Sequence, residues 1–232
     1  MRLPTETEWP GFLAALDECG YAVLPGLLDP ANCGALAALY EGDAAFRSRV
    51  VMARHNFGRG EYKYLRYPLP PVVAALREAL YPALAPLANR WHERLRLAPR
   101  FPPTLEEYLG KCHAAGQQRP TPLILKYEEG DYNCLHQDLY GDFVFPVQAT
   151  VLLSAPGRDF AGGEFMLVEQ RPRMQSKGEV VPLGHGDAVI FAVNHRPVEG
   201  ARGVYRARMR HGVSRLRHGR RFTLGIIFHD AA

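Results

Sequence analysis

Two residues with metal-binding side chains, His136 and Asp138, stand one residue apart near the middle of the sequence. In an extended strand, residues i and i+2 project to the same face, so this imidazole and this carboxylate can reach one metal ion while Gln137 points away. Two ligands do not complete a site, and His-x-Asp alone occurs by chance in many proteins. A third ligand must therefore come from another strand.

His211 is the predicted third ligand. Two histidines and one carboxylate on one face of an octahedron leave three positions for a co-substrate and O2, which is the arrangement of non-haem Fe(II) oxygenases. His195 is the rival, because it also follows Asp138 and precedes arginines. It comes directly after the apolar run Ala188–Val193, in an Asn-His-Arg-Pro segment that is typical of a loop. The sequence therefore favours His211.

Arg221 begins an apolar strand after His211 and carries a guanidinium that could bind a dicarboxylate. A guanidinium forms two parallel hydrogen bonds with a carboxylate. Thr223 and Gly225 share the face of Arg221 in an extended strand, and both are small enough to leave room for a ligand. Arg220 falls on the opposite face, where we expect it to be solvated.

These motifs, in this order, resemble those of the Fe(II)- and 2-oxoglutarate-dependent oxygenase superfamily, particularly its prolyl-4-hydroxylase-like branch. The pattern covers about residues 121–229 and runs through Tyr127, Gly130, His136-x-Asp138, Gly162-Gly163-Glu164-Phe165, Gly186-Asp187, His211 and Gly219-x-Arg221-Phe222. Over its whole length, the chain also resembles a family of bacterial oxygenases for which nucleic-acid oxidation has been proposed.

The resemblance implies a double-stranded β-helix fold and a specific set of site residues. The implied Fe(II) ligands are His136, Asp138 and His211. Arg221 would hold the C5 carboxylate of 2-oxoglutarate, and Tyr127 matches a position whose phenol lines the co-substrate pocket. Many relatives place a second tyrosine on the strand that here carries Thr150, so Thr150 becomes the candidate hydroxyl partner of Arg221.

The activity that the resemblance implies is that of a dioxygenase, which uses Fe(II), 2-oxoglutarate and O2 to hydroxylate an unactivated C–H bond and releases succinate and CO2. The motifs fit a protein side chain or a free amino acid as the primary substrate. Oxidative demethylation of a nucleic-acid base is the alternative, although the AlkB-type pattern has a second arginine where this chain has Ile227. Tyr140, Phe143 and Phe145 could stack on a base. A non-enzymatic β-barrel that binds metal or a small molecule is the alternative of another class.

Arginines are concentrated in a block from Arg202 to Arg221. In the strand that ends at His211, alternation places three arginines on the face opposite to that histidine. They are Arg206, Arg208 and Arg210. Their face is either a solvated surface or one that binds the phosphates of a nucleic acid. The sequence leaves both interpretations open.

The elements that must position these residues divide the chain into a mainly helical part, residues 1–118, and a strand-rich part, residues 119–232. Helices are predicted before Gly20, after Asp29-Pro30, over Pro71–Leu97 with a break or kink at Pro82 and Pro86, and over Thr104–Ala115. Strands are predicted at Tyr21–Leu24, Leu123–Tyr127, Val147–Leu153, Glu164–Val168, Glu179–Leu183, Ala188–Val193, Val204–His211 and Phe222–Phe228. The pattern therefore predicts one α+β domain over residues 1–232, an antiparallel β-sandwich or barrel with the N-terminal helices packed on one sheet. The resemblance specifies this core as a jelly-roll.

Composition places the chain among folded globular proteins, because 47% of its 232 residues are hydrophobic and 22% are charged. No apolar run approaches the ~18–20 residues of a membrane helix, so we expect no membrane partner. Four scattered cysteines and an N-terminus unlike a signal peptide favour a cytoplasmic location. The charge balance, 28 basic against 24 acidic residues, does not by itself demand a nucleic-acid partner.

Overall fold

The computed structural model describes residues 1–98, 100–139, 141–201 and 203–232. Tyr140 and Arg202 lie outside the described residues. Within them, helices α1 to α4 are Trp9–Cys19, Pro30–Ala38, Pro71–Leu95 and Leu105–Ala114. Strands β1 to β14 are Tyr21–Leu24, Phe46–Val51, Gly58–Arg59, Glu61–Leu65, Leu123–Glu128, Tyr132–His136, Val147–Leu152, Phe160–Gly162, Phe165–Gln170, Lys177–Val181, Ala188–Ala192, His195–Gly200, Gly203–Val213 and Leu216–Ile226.

The strands form two antiparallel sheets that pack face to face. The eight-stranded sheet has the order β1-β11-β7-β14-β5-β4-β2, with β8 joined to β14. The six-stranded sheet has the order β10-β9-β13-β6-β3, with β12 joined to β13. Apolar side chains meet between the sheets, where Phe165 and Leu167 of β9 contact the cluster that contains Val189 and Phe191 of β11. The predicted α+β class is confirmed.

The helices cover the outer face of the eight-stranded sheet. The main core cluster joins side chains from all four helices to Ala149 and Val151 on β7 and to Leu224 and Ile226 on β14. The intervening residues of the same strands point the other way, toward the six-stranded sheet. Alternation along β7 and β14 therefore separates a helix-facing core from a face that can carry a site.

The helix ends follow the predicted capping signals. Gly20 ends α1 in the left-handed conformation, with φ 81°. Asp29 precedes α2, and its side chain accepts a hydrogen bond from the backbone N–H of Asn32 at 2.9 Å. Thr104 precedes α4, and its hydroxyl accepts from the N–H of Glu107 at 3.3 Å. These caps satisfy backbone groups that helix ends leave unpaired.

Helix α3 runs through Pro82 and Pro86 to Leu95 without a break, so of the predicted break or kink the break does not occur. Leu80 and Leu84, beside these prolines, are fully buried. Packing of the helix therefore outweighs the two backbone hydrogen bonds that the prolines cannot donate. Neither α3 nor any other helix in the described part of the chain is long and apolar enough to cross a membrane.

The N-terminal part also supplies strands that the sequence analysis missed. Strands β2 and β4 extend the eight-stranded sheet beyond β5, and β3 pairs with β6. These strands are short, and charged side chains interrupt β2 and β4, so their period-two apolar pattern is weak. The mainly helical description of residues 1–118 therefore has to include them.

Candidate active site

A pocket of about 210 Å³ lies between the two sheets. Its walls come from β5, β7 and β14 of one sheet and from β6, β9 and β13 of the other. Side chains on these strands alternate between the pocket and the opposite face. The structure brings all six predicted site residues into this one pocket: Tyr127, His136, Asp138, Thr150, His211 and Arg221.

Strand pairing brings the two predicted histidine ligands together. His136 on β6 lies directly opposite His211 on β13, and their ring centroids are 4.1 Å apart. Asp138 follows the end of β6, and its oxygens lie 3.5 Å from His136 Nε2 and 3.3 Å from His211 Nε2. One ligand atom from each residue lies within 4.8 Å of the other two. The three side chains therefore converge closely enough to share one metal ion.

Hydrogen bonding orients the ring of His136. Its Nδ1 lies 2.8 Å from the carbonyl oxygen of Cys134, which can only accept, so in the neutral ring the proton sits on Nδ1. Nε2 then keeps the lone pair that a metal needs. Burial opposes the charged form of His136, but the hydrogen bond to Asp138 raises its pKa above the ordinary value. Burial lowers the pKa of His211, and the neighbouring His136 adds to that effect.

Asp138 is a buried carboxylate that stays ionised. Burial alone would raise its pKa, but hydrogen bonds and charge from His136 and His211 hold the pKa well below the usual range. Gln148 Nε2 also donates to Asp138 Oδ2, at 2.8 Å. An ionised carboxylate beside two imidazoles is a donor set that suits a divalent first-row metal such as Fe(II).

Arg221 is a buried cation that forms no direct ion pair among the described residues, although the more distant Glu164 acts on its pKa. Its side chain is 1% exposed, and its Nη1 donates to Thr223 Oγ1 at 3.3 Å, while its buried Nε finds no acceptor in that part of the chain. Burial lowers the pKa of Arg221 to about 10. An uncompensated buried charge is costly, so a carboxylate ligand beside Arg221 would be stabilised. This orphaned guanidinium fits the far carboxylate of 2-oxoglutarate.

The hydroxyl that contacts Arg221 is that of Thr223, whereas Thr150 was the predicted candidate. Thr223 is two residues further along the same strand, so alternation puts its side chain on the same face as Arg221. Thr150 lines the pocket from the neighbouring strand β7. No hydrogen bond joins Thr150 to Arg221 in the described part of the structure.

Tyr127 packs beside Arg221 in the pocket wall. The Arg221 Cζ atom lies 5.6 Å from the centre of the Tyr127 ring. Burial raises the pKa of Tyr127, while the charge of Arg221 and an interaction with the Asn133 side chain act in the opposite direction. A buried phenol in this state can donate to a bound ligand.

Three further pocket residues were missed by the sequence analysis. Gln148 lies two residues before Thr150 on β7, so strand alternation could have placed it in the pocket. Phe57 and Leu139 also line the pocket and are each 48% exposed, which puts them at its opening. No motif in the sequence indicates that Phe57 and Leu139 line the pocket, because their position depends on the pairing of β3 with β6.

Two of the aromatic residues proposed to stack on a base are not available at the pocket opening. Phe145 is fully buried among other rings, with Tyr81 at 5.0 Å and Phe101 at 4.9 Å between centroids. Phe143 is half-buried and packs against the main core. Tyr140, the third, lies outside the described residues.

His195, the rival metal ligand, lies outside the pocket. It begins strand β12 opposite Arg208 of β13, so the loop prediction for this residue is wrong. Pairing with β13 keeps this segment extended, although its Asn-His-Arg-Pro sequence is typical of a loop. The structure places His211, not His195, beside His136 and Asp138.

Comparison with known proteins identifies a family. The family model Oxygenase-NA, described as an oxygenase catalysing oxidative methylation of damaged DNA, matches residues 60–231. The chain belongs to this family. This Oxygenase-NA protein is therefore an oxygenase, and the matched range contains every pocket residue discussed above except Phe57.

Relatives of the Oxygenase-NA protein include two proteins of Mycobacterium tuberculosis, the uncharacterized proteins Rv2227 of strain H37Rv and MT2286 of strain CDC 1551. Each is 49% identical over 165 residues, which is 71% of either chain. Among solved structures, a Pseudomonas putida prolyl-4-hydroxylase matches with a TM-score of 0.54 and 15% identity, over 97% of this chain and 99% of that chain. A Trichoplax adhaerens prolyl hydroxylase in complex with a hypoxia-inducible-factor peptide matches with a TM-score of 0.56 and 16% identity, over 96% of this chain and 89% of that chain. The Oxygenase-NA protein therefore shares the fold of these enzymes.

Proposed function

We propose that this protein is an Fe(II)- and 2-oxoglutarate-dependent dioxygenase that hydroxylates an unactivated C–H bond. The observation that carries the proposal is one pocket that holds both a His-Asp-His cluster and a buried arginine that forms no direct ion pair among the described residues. The His-Asp-His cluster fits the metal, and the buried arginine fits the co-substrate. Membership in an oxygenase family replaces the hypothesis of a non-enzymatic binding barrel.

Each site residue has a proposed role in binding or orientation. The proposed Fe(II) ligands are His136, Asp138 and His211. Arg221 binds the C5 carboxylate of 2-oxoglutarate and thereby orients its other end toward the metal ligands, while Tyr127 and Thr150 line the co-substrate pocket. When bound, Fe(II) and 2-oxoglutarate supply the activation of O2 and the oxidation of the C–H bond. Phe165 and Phe191 pack near the His211 ring, at 6.1 Å and 4.6 Å, and limit water there.

The arrangement of the chain supports two further assignments. We assign the two facing antiparallel sheets to a double-stranded β-helix, and residues 1–232 to a single oxygenase domain. The main core cluster supports the single domain, because it contains residues from the N-terminal helices and from C-terminal strands.

The cysteines Cys19, Cys33, Cys112 and Cys134 are unpaired, which supports the proposed cytoplasmic location.

Turnover of the co-substrate is the direct test of this proposal. Purified protein supplied with Fe(II), 2-oxoglutarate and O2 is expected to release succinate, measured by mass spectrometry, at a low rate even without a primary substrate. Reactions without Fe(II), or with Zn²⁺ in its place, serve as controls because Zn²⁺ has no redox chemistry. Binding of 2-oxoglutarate without any succinate release would contradict the proposal.

The primary substrate has two candidates. The prolyl-hydroxylase-like motifs favour a protein side chain or an amino acid, whereas the description of the family names damaged DNA. The pocket opening supports a nucleic-acid base, because the exposed Phe57 ring is stacked on His55 with centroids 5.4 Å apart and is free to stack on a base. Comparing succinate release with methylated oligonucleotides, with peptides and with free amino acids would distinguish the candidates.

A further inference from the structure

Gln148 is buried among the proposed metal ligands, and no motif gave it a role. Its side chain is on β7, and its amide nitrogen Nε2 lies 2.8 Å from Asp138 Oδ2 and 3.2 Å from His211 Nε2. A carboxylate oxygen only accepts hydrogen bonds, so Asp138 fixes the amide with its nitrogen toward the ligands. The oxygen end of the amide cannot occupy this position.

The same amide also contacts His211. Gln148 Nε2 and Asp138 Oδ2 lie 3.2 Å and 3.3 Å from His211 Nε2. The amide N–H suits an unprotonated Nε2, whereas the carboxylate oxygen suits a protonated one. Only the unprotonated Nε2 offers the lone pair that binds a metal. One amide group therefore contacts two of the three ligands.

We propose that Gln148 is a positioning residue that prepares Asp138 and His211 for the metal. Gln148 holds Asp138 through Oδ2, while Asp138 Oδ1 lies 3.5 Å from His136 Nε2, so the carboxylate is kept between the two proposed histidine ligands. The proposal rests on the metal site proposed above. It adds that the site is organised before metal arrives, by a residue that is not itself a ligand.

Metal titration tests this role without using turnover. Gln148→Leu removes both N–H donors at similar volume and is expected to weaken Mn²⁺ binding to metal-free protein by about 10–100-fold, measured by isothermal titration calorimetry. Thr150→Val is the matched control, because Thr150 is on the same strand and the same face but does not contact the ligands. Its Mn²⁺ affinity should equal that of the wild type.

A second variant and a second readout separate positioning from simple loss of folding. Gln148→Asn keeps an amide but withdraws it by one methylene, so it should also lose Mn²⁺ affinity while thermal unfolding of the metal-free protein stays close to the wild type. The visible spectrum of bound Co²⁺ should change in both Gln148 variants. Wild-type affinity in both variants, or an equal loss in Thr150→Val, would overturn the role of Gln148. Absence of Mn²⁺ binding by the wild type would instead overturn the metal site itself.

A second inference concerns the outer face of the six-stranded sheet, which carries a row of basic side chains. Arg206, Arg208 and Arg210 are exposed on β13 and alternate with the buried residues Ala207 and Met209. The predicted alternation is confirmed, and it puts these arginines on the side of the strand away from the pocket. Residues two apart on a strand are separated by roughly 6.4–6.8 Å, so the row is regular.

Few anionic groups contact this row of arginines in the described part of the chain. Arg206 Nη2 donates to the carbonyl of Leu95, at the end of α3, at 3.3 Å. Arg208 and Arg210 form no ion pair or side-chain hydrogen bond there. His195 lies opposite Arg208, and burial together with Arg206 and Arg208 lowers its pKa, so its ring adds no positive charge at neutral pH. Positive charges this close repel each other, and a bound polyanion would relieve that repulsion.

We infer that this sheet face binds the phosphate backbone of a nucleic-acid strand. Charge complementarity supports this occupant, because the one acidic residue that β12 presents on this face, Glu199, is already paired with Arg94. The inference rests on the nucleic-acid candidate for the proposed function. It supplies a binding surface separate from the pocket, so loss of binding there and loss of metal-dependent turnover are distinguishable.

Charge reversal tests the surface. Arg208→Glu with Arg210→Glu is expected to weaken binding of a labelled single-stranded DNA oligonucleotide, measured by fluorescence anisotropy, and to flatten its dependence on salt. Each lost phosphate contact removes about 0.7 from the log–log slope on a single strand, so the pair should remove roughly 1.4. Arg206 is left unchanged because its guanidinium also binds the end of α3.

A second double variant controls for overall charge. Lys111→Glu with Arg158→Glu makes the same charge change at exposed positions on other surfaces, and its DNA binding should stay near the wild type. Succinate release without primary substrate should survive in both double variants. The inference fails if the wild type binds no oligonucleotide at low salt, if the Arg208 and Arg210 changes have no effect, or if the control variant loses as much affinity. If the Arg208 and Arg210 changes leave oligonucleotide binding unchanged, the arginines of residues 54–66 become the next candidates for the contact surface.

Discussion

Asp138→Ala and His136→Ala are each expected to lose iron binding and to abolish succinate release. Each change removes one of three proposed ligands, and the two that remain cannot hold Fe(II) on one face of its coordination sphere. Metal content after anaerobic reconstitution, measured by inductively coupled plasma mass spectrometry, should fall from about one iron per chain, as three ligands at one site imply, to background. This is the largest effect expected of any single change.

His195→Ala and Asp142→Ala are the matched controls for these variants. His195 lies on β12 outside the pocket, and Asp142 is an exposed carboxylate close to Asp138 in sequence. Both controls should retain the wild-type iron content and rate. Normal iron content in both His136→Ala and Asp138→Ala would rule out the proposed centre, whereas iron loss in His195→Ala would show that the wrong histidine was chosen.

Arg221→Ala is expected to raise the KM for 2-oxoglutarate by roughly 100-fold or more. Removing one partner of a buried, charge-assisted pair costs about 2–5 kcal/mol, and no other arginine or lysine among the described residues lines the pocket to take over the role of Arg221. Iron affinity should be nearly unchanged, because Arg221 does not contact the proposed ligands. Steady-state kinetics of succinate release, with metal binding measured in parallel, would separate the two effects.

The neighbouring arginine provides a stringent control. Arg220 is exposed on the opposite face of β14, near Glu41 and Glu128 at 3.5 Å and 3.6 Å. Arg220→Ala should therefore leave the KM unchanged. An effect on the KM in Arg220→Ala but not in Arg221→Ala would mean that the two faces of the strand were assigned the wrong way round.

The site residues that could be predicted from the sequence are those whose position follows from a local pattern. Arg221 and Arg220 were separated by strand alternation alone, and the structure confirms the buried and exposed faces. His211 is distinguished from His195 by the apolar strand, led by Arg221, that follows it. Such predictions succeed because the two-residue period of a strand is a property of its backbone.

The parts that could not be predicted depend on which strands become neighbours. His136 lies opposite His211 because of the register between β6 and β13, and the sequence of neither strand specifies which strand it pairs with. Gln148 meets Asp138 only because the two sheets pack face to face. Strands β2 and β4 were missed because their charged residues hide the period on which strand prediction relies. Thr150 was predicted as the hydroxyl partner of Arg221 from the resemblance, whereas the observed contact with Thr223 follows from the closeness of the two side chains on one face of β14.

The pairing of β6 with β13 also fixes when the proposed metal centre can form during protein synthesis. His136 and Asp138 emerge from the ribosome well before His211, and the opposing strand must be complete before the three side chains can meet. We therefore expect a nascent chain to offer no complete set of proposed ligands until residue 211 has emerged, and no arginine for the co-substrate until residue 221. Iron loading at the proposed centre is thus expected to follow the pairing of these two strands rather than to precede it.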